Sequence, residues 1–318
     1  MSMRKQLNKG SSSLDGLLAA VILGFIIMAF IVPGRSPTPL IKSSNSQYSN
    51  NNSNSSDYYY DLDLPTDSTY ARSISIGADN SSRAYQSYEE YITIENRGRD
   101  PINITGWTLS NAKNERVYEL GGNLQRFAAD TARIPSALLF IPTGGVTLTS
   151  DVILAPGESA IVTTGAMGQT SPYRITSFKE NICSGYLGAS DSYTFTPSLS
   201  RSCPRPSNEP GVRNLEPSCQ KFIDRLQSCR TPEFNTRDRD GEICTNCVDG
   251  TPLSSSCLAF IREHYNYPGC ISYHSGDENF SLRTWRVFLG QGWQMWADDH
   301  DVIKLLDNLG RLVDYRAY

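Results

Sequence analysis

Between Tyr88 and Leu109 the chain spells two strands around a turn, and this pattern restricts its fold more than any other stretch. Tyr91-Ile-Thr-Ile-Glu95 is β-branched and aromatic, and Asn96-Arg-Gly-Arg-Asp-Pro101 is turn chemistry. Ile102-Asn-Ile-Thr105 alternates apolar with polar, the period of a strand with one buried face. Gly106-Trp107 then places a large indole where it fills the space between two sheets. Further strands are expected at Arg72–Ile76, Ala137–Ile141, Ala160–Thr164 and Leu282–Leu289, with Gly144, Gly145, Pro156 and Gly157 as punctuation. Short strands at this spacing read as an all-β sandwich.

The opening stretch resembles the start of the lamin tail domain, an immunoglobulin-like sandwich marked by E-Y-[IV]-x-[IL]-x-N followed by G-W-x-L. Val152-Ile-Leu-Ala-Pro-Gly-Glu-Ser-Ala-Ile-Val162 resembles that family's L-x-P-G-E turn and strand. Asp301–Asp314 resembles its closing hairpin, in which a D-x-x-G turn joins two strands. The resemblance implies an immunoglobulin-like β-sandwich with Tyr91, Ile94, Trp107, Leu109, Trp285, Leu305 and Val313 in its core. It also implies a role in adhesion, scaffolding or ligand recognition rather than catalysis.

The N-terminal part has a different character. From Leu17 to Val32 no charge occurs, and the 19 residues from Leu14 reach roughly 28 Å as a helix, the hydrocarbon thickness of a bilayer. Arg4, Lys5 and Lys9 precede the span, against Arg35 and Lys42 after it, so the bias favours an internal N-terminus. The expected arrangement is a cytoplasmic tail at 1–13, a single-pass signal anchor at 14–32 and a flexible linker at 33–70. A cleaved signal peptide is the rival reading, with an apolar run that is long for one and no small-x-small site before Pro33. Lys9-Gly10-Ser-Ser-Ser-Leu-Asp15 also resembles a prepilin cleavage site, with Asp15 for the usual glutamate; a plain polar flank is preferred. In residues 35–70, 14 of 36 positions are Ser or Asn, too little apolar surface to offset chain entropy. A coil of that length spans about 35 Å.

Strand alternation lapses from about Ser171 to Asn279, and that insertion into the 71–318 sandwich holds all eight cysteines. Two helices are expected there, Glu216–Cys229 and Ser254–Tyr265, and they share the form Ser-Cys-x-x-Phe-Ile. Outside a membrane, Cys183, Cys203, Cys219, Cys229, Cys244, Cys247, Cys257 and Cys270 are candidates for four disulfides of undetermined pairing. The alternatives are a zinc site at Cys244, Cys247, Cys257 and Cys270, or a redox Cys244-x-x-Cys247.

Catalytic signatures are absent: there is no HExxH, GxSxG, Walker A or GxGxxG. Asp298-Asp-His-Asp301 is the densest group of ligand types, and Arg237–Glu242 has acidic residues two apart with a glycine; both read better as surface turns. Trp285, Trp293, Trp296, Tyr265, Tyr267 and Tyr273 form either a sugar-stacking platform or part of the core. The net charge of −4 argues against a nucleic-acid footprint, and no cofactor is expected. The chain therefore reads as a membrane-anchored, extracytoplasmic, non-catalytic module of a bacterial or archaeal envelope, facing a surface protein or polysaccharide. No heptad rod precedes the sandwich to suggest a nuclear envelope. The alternatives are a surface hydrolase, which would need His264, His274 or His300 to converge with Asp or Glu in a pocket, and a pilin-like subunit processed after Gly10.

Overall fold

A computed structural model describes residues 68–141, 149–167, 175–190, 193–238, 240–298 and 301–318. The expected tail, anchor and nearly all of the linker, with the prepilin-like site, lie outside the described residues. Among the described residues no helix is long and apolar enough to cross a membrane.

In chain order the first strands are β1 (Ile74–Gly77), β2 (Tyr91–Asn96), β3 (Ile102–Asn103), β4 (Thr108–Ser110), β5 (Tyr118–Leu120) and β6 (Asn123–Gln125). Next come β7 (Thr131–Arg133), β8 (Ala137–Leu138), β9 (Thr149–Ser150), β10 (Ile153–Leu154), β11 (Ser159–Thr163) and β12 (Phe178–Asn181). Then follow β13 (Cys247–Val248), β14 (Thr251–Pro252), β15 (Ser281–Phe288), β16 (Val302–Leu306) and β17 (Leu312–Ala317). One sheet has the order β1-β2-β11-β15-β12-β8-β9, and a second has β17-β16-β4-β7. Ile92, Ile94, Val162 and Val287 of the first sheet share a buried cluster with Leu109, Ile303, Leu305 and Val313 of the second. Trp107, Trp285 and Trp296 fill the same cluster, and the architecture is an immunoglobulin-like sandwich. The β5–β6 hairpin belongs to a separate compact unit that includes residues 116–126.

Each recognisable motif has a physical task. Asn96 donates from Nδ2 to the carbonyls of Asp100 and Leu154 at 2.8 and 2.7 Å, while its Oδ1 accepts from the Gly98 N–H at 2.8 Å. Itself fully buried, it thereby satisfies the Leu154 carbonyl in the interior and braces the exposed turn from beneath. In the Pro-Gly-Glu turn Gly157 takes φ +74°, which only glycine adopts without strain. Glu158 accepts from the Ala155 N–H at 3.2 Å and pairs with Lys179 at 2.7 Å. In the closing hairpin Asp307 accepts from the N–H groups of Leu309 and Arg311 at 2.9 and 3.0 Å. Burial works to raise the Asp307 carboxyl, but these bonds and the Arg311 guanidinium outweigh it and hold the group below the usual range. Asp314 ties the sheets together at one edge by accepting from the Ile76 N–H at 2.8 Å.

Three expectations need correction. Tyr91 is only half-buried, because it lies three residues from the core Ile94 and a strand of period 2 puts the two on opposite faces; Ile92 takes the inner place. The sheet extends to Asn181 through β12, which pairs antiparallel with β15, so the chain leaves the sheet later than residue 171. The helix expected over 216–229 stops at Ile223, and Cys229 has φ +63°, outside the helical region.

The insertion carries α1 (Gly185–Gly188), α2 (Pro217–Ile223), α3 (Ser255–His264) and α4 (Tyr267–His274). Pro268-Gly269 reads as a breaker, yet α4 begins there. Asn266 caps its start by accepting from the Gly269 N–H at 2.9 Å, and proline is tolerated in a first turn that has no N–H partner to lose.

Asn96→Ala is expected to lower stability by about 2–3 kcal/mol by leaving the interior Leu154 carbonyl unsatisfied and releasing the turn. Glu95→Ala, which removes only an exposed pair with Arg97, should stay within about 0.5 kcal/mol. Urea unfolding of the two variants checks the contrast.

Candidate functional site

All eight cysteines are paired: Cys183–Cys270, Cys203–Cys229, Cys219–Cys257 and Cys244–Cys247, with none free. The four residues considered for zinc are thus spread over three bridges, and their sulfurs do not share one site. The bridges substitute for aliphatic bulk. One cluster packs Cys183, Cys203, Cys229 and Cys270 with Tyr186, Tyr267, Ile271 and Phe280. Gly185 sits so close to these sulfurs that a Cβ there would collide with Cys229 and Cys203. A second cluster packs Cys219 and Cys257 with Ile223, Ile261, Val248 and Tyr265. By loop-closure entropy the Cys183–Cys270 bridge contributes about 4–5 kcal/mol and Cys244–Cys247 about 2.

Two of the three histidines converge on one carboxylate. His264 ends α3 and His274 ends α4. Glu209, just past a 3-10 turn at Pro206–Asn208, reaches between them. Its Oε2 lies 3.3 Å from His264 Nδ1 and its Oε1 lies 2.9 Å from His274 Nε2. Asp277 Oδ2 meets the other His274 nitrogen at 2.8 Å. Burial lowers the pKa of His274, but the bonds to Asp277 and Glu209 and their negative charges outweigh it and raise the net value. The His264 ring is stacked between Phe260 and Tyr273, each 3.9 Å away. Tyr273 in turn donates to Glu263 at 2.6 Å. Chemically this is a carboxylate–imidazole clasp that joins α3, α4 and the 3-10 turn. A cavity of about 190 Å³ lies elsewhere, lined by Gly185, Tyr193, Phe195 and Arg201 among others.

Among the described residues no group of three His, Cys, Asp or Glu side chains is arranged to hold a metal ion. Asp299 and His300 lie outside the described residues, while Asp301 accepts from the N–H groups of Ala297 and Val302 at 2.9 and 2.8 Å. Asp238 accepts from the N–H groups of Asp240 and Glu242, both at 3.0 Å, which is turn chemistry.

Four of the six aromatics considered for a sugar platform are buried: Trp285, Trp296, Tyr265 and Tyr267. Trp293 and Tyr273 are exposed. Glu90, of the Glu-Tyr pair, lies beneath the loop that carries Trp293. Its Oε2 accepts from the Met295 N–H at 2.7 Å and its Oε1 from the Trp296 N–H at 3.1 Å. Burial pushes this carboxyl up to about 7 against those two donors, and the negative charge of Asp301 adds to the rise. The role of Glu90 was open to sequence reasoning only as part of the motif, because its partners are some 200 positions away.

The Lamin Tail Domain family model matches residues 73–195. A lamin tail domain is therefore present in that part of the chain, and β15, β16 and β17, which complete both sheets, lie beyond it. No curated protein matches the chain.

Glu90 and His274 bind their protons more tightly folded than unfolded, so both make the protein less stable as pH rises. The Glu90 contribution is complete below 4.5 and lost as pH passes about 7, a change of about 3 kcal/mol. The His274 contribution is complete below 6.5 and lost above its raised value. Glu90→Gln should remove the lower part of the decline and His274→Gln the upper part, read as urea midpoints against pH.

Proposed function

We propose that the chain is a membrane-anchored, extracytoplasmic module of a cell envelope that works by binding and scaffolding, without catalysis. The observation that carries this reading is the pairing of every cysteine into four disulfides, a state that persists in oxidising compartments. Support for the anchor comes from the apolar run Leu14–Val32 and the Ser/Asn-rich linker after it. A lamin tail domain enclosing a cross-linked insertion is a scaffold with a display element. The His264–Glu209–His274 clasp fits a structural task, since both carboxylate oxygens are engaged and the His264 ring is packed between Phe260 and Tyr273.

The test is thiol alkylation of the full chain in its native membranes. No label should enter before reduction and eight should enter after it. An impermeant protease added to intact cells should release the folded part. Free thiols, or protection from the protease, would sink the reading. Mass spectrometry of the N-terminus separates it from the filament alternative, because a mature start at Ser11 would favour a pilin-like subunit.

A further inference from the structure

Three aromatic side chains stand in solvent on neighbouring loops of the sandwich. Tyr85 is 88% exposed, Trp293 is 60% exposed and Tyr88 is 37% exposed. Their loops are tied together by the main chain. The Gly165 N–H donates to the Ser87 carbonyl at 2.7 Å, and the Gln291 N–H donates to the Thr164 carbonyl at 2.9 Å. The Gln294 side-chain amide donates to the Ala84 carbonyl, so Tyr85 and Trp293 flank one hydrogen bond. Beneath them Glu90 fixes the backbone of Met295 and Trp296. The aromatics are therefore carried on a preorganised edge, although each leaves ring surface in water, which is unfavourable in isolation.

The surrounding chemistry selects the ligand. Residues 84–89 and 290–294 contain no Leu, Ile, Val or Met, so Tyr85, Tyr88 and Trp293 supply the large apolar surface of these two stretches. In the chain the rings are flanked by Gln86, Ser87 and Gln291, whose amides and hydroxyl donate and accept but carry no charge, and the exposed Arg83 stands two residues before Tyr85. Glu89 is already engaged, accepting from the Tyr85 N–H at 3.2 Å. Gly290 and Gly292 have no heavy atom within 4 Å of where a Cβ would stand, so the edge beside Trp293 is open. Flat apolar rings beside neutral hydrogen-bonding groups complement a pyranose, which has a C–H face and a hydroxyl rim.

We infer that Tyr85, Tyr88 and Trp293 form a binding edge for a neutral polysaccharide chain, a proposal that rests on the envelope-module reading above. Trp293 also supplies the readout, because Trp107, Trp285 and Trp296 are buried. The full chain, in a detergent that carries no sugar, is titrated with chitohexaose, cellohexaose and xylohexaose while tryptophan emission is followed. At least one should shift the emission and bind. Calorimetry should show Trp293→Ala and Tyr85→Ala weakening that binding at least about tenfold, as loss of an anchor ring does, with Trp293→Phe retaining part of it. The unfolding midpoint should not move, since both side chains are exposed. Three outcomes overturn the proposal: none of the three sugars binds, binding survives both alanine variants, or sedimentation shows self-association that Trp293→Ala abolishes. Alkylation of the same samples separates the two readings, because intact disulfides with no sugar bound would remove the binding edge alone.

Discussion

The disulfide between Cys183 and Cys270 holds the neck of an excursion on which the main sheet depends. β15 lies between β11 and β12, in the middle of the sheet, although about a hundred residues separate it from β12 in the chain. Closing so long a loop costs entropy before any strand pairing offsets it. The Cys183–Cys270 bridge brings the departing and returning segments to a Cα separation of 5.7 Å, and the Ile182 N–H donates to the Phe280 carbonyl at 2.9 Å beside it. With the neck fixed, β15 enters in register, Trp285 opposite Ala160 and Val287 opposite Val162. The buried Glu180–Arg286 pair, at 2.5 Å, then locks β12 to β15, and Arg286 also donates to the carbonyls of Pro197 and Ser198. Removing one partner would strand the other charge in the interior.

Within the excursion, order comes from a repeated local device. Ser-Cys-x-x-Phe-Ile occurs at Ser218–Ile223 on α2 and at Ser256–Ile261 on α3. The equivalent cysteines, Cys219 and Cys257, are bonded to each other, and the equivalent isoleucines, Ile223 and Ile261, are buried in the same cluster. A helix of seven residues is marginal by itself, so covalent pairing supplies what helix propensity lacks. The Glu209 clasp performs a similar task at the far ends of α3 and α4 by charge and hydrogen bonding.

Much of the sandwich was legible in the sequence because its signals are local. The alternation of β2, the Pro-Gly-Glu turn and the Asp307-x-x-Gly310 hairpin each involve residues within a few positions of one another. β12 was missed because Phe178-Lys-Glu-Asn181 carries two charges, and these are accommodated by Trp285, Glu158, Arg286 and the Ser200 N–H, all from other segments. α4 was missed because Pro-Gly is read as a stop unless the cap at Asn266 is seen. The Glu209 clasp had no signal at all: Glu209 is 55 residues from His264 and 65 from His274, and no spacing rule joins them. Tyr85 and Trp293 were equally remote from each other, and long-range bonds such as Gln294 to Ala84 and Met295 to Glu90 show that their loops are neighbours.

The connectivity of the four bridges has a consequence for how the chain is made. Synthesis delivers the cysteines in the order 183, 203, 219, 229, 244, 247, 257, 270. If each thiol were oxidised with the next to arrive, Cys183 would join Cys203 and Cys219 would join Cys229, and both pairs are wrong. Only Cys244–Cys247 suits such first-come pairing; the loops 203–229 and 219–257 interlock, and 183–270 encloses them all. The native set is therefore reached either after the last cysteine has emerged or through reshuffling of earlier bridges. On the second route, each early mispairing must be opened again by thiolate attack before the native bridge can close.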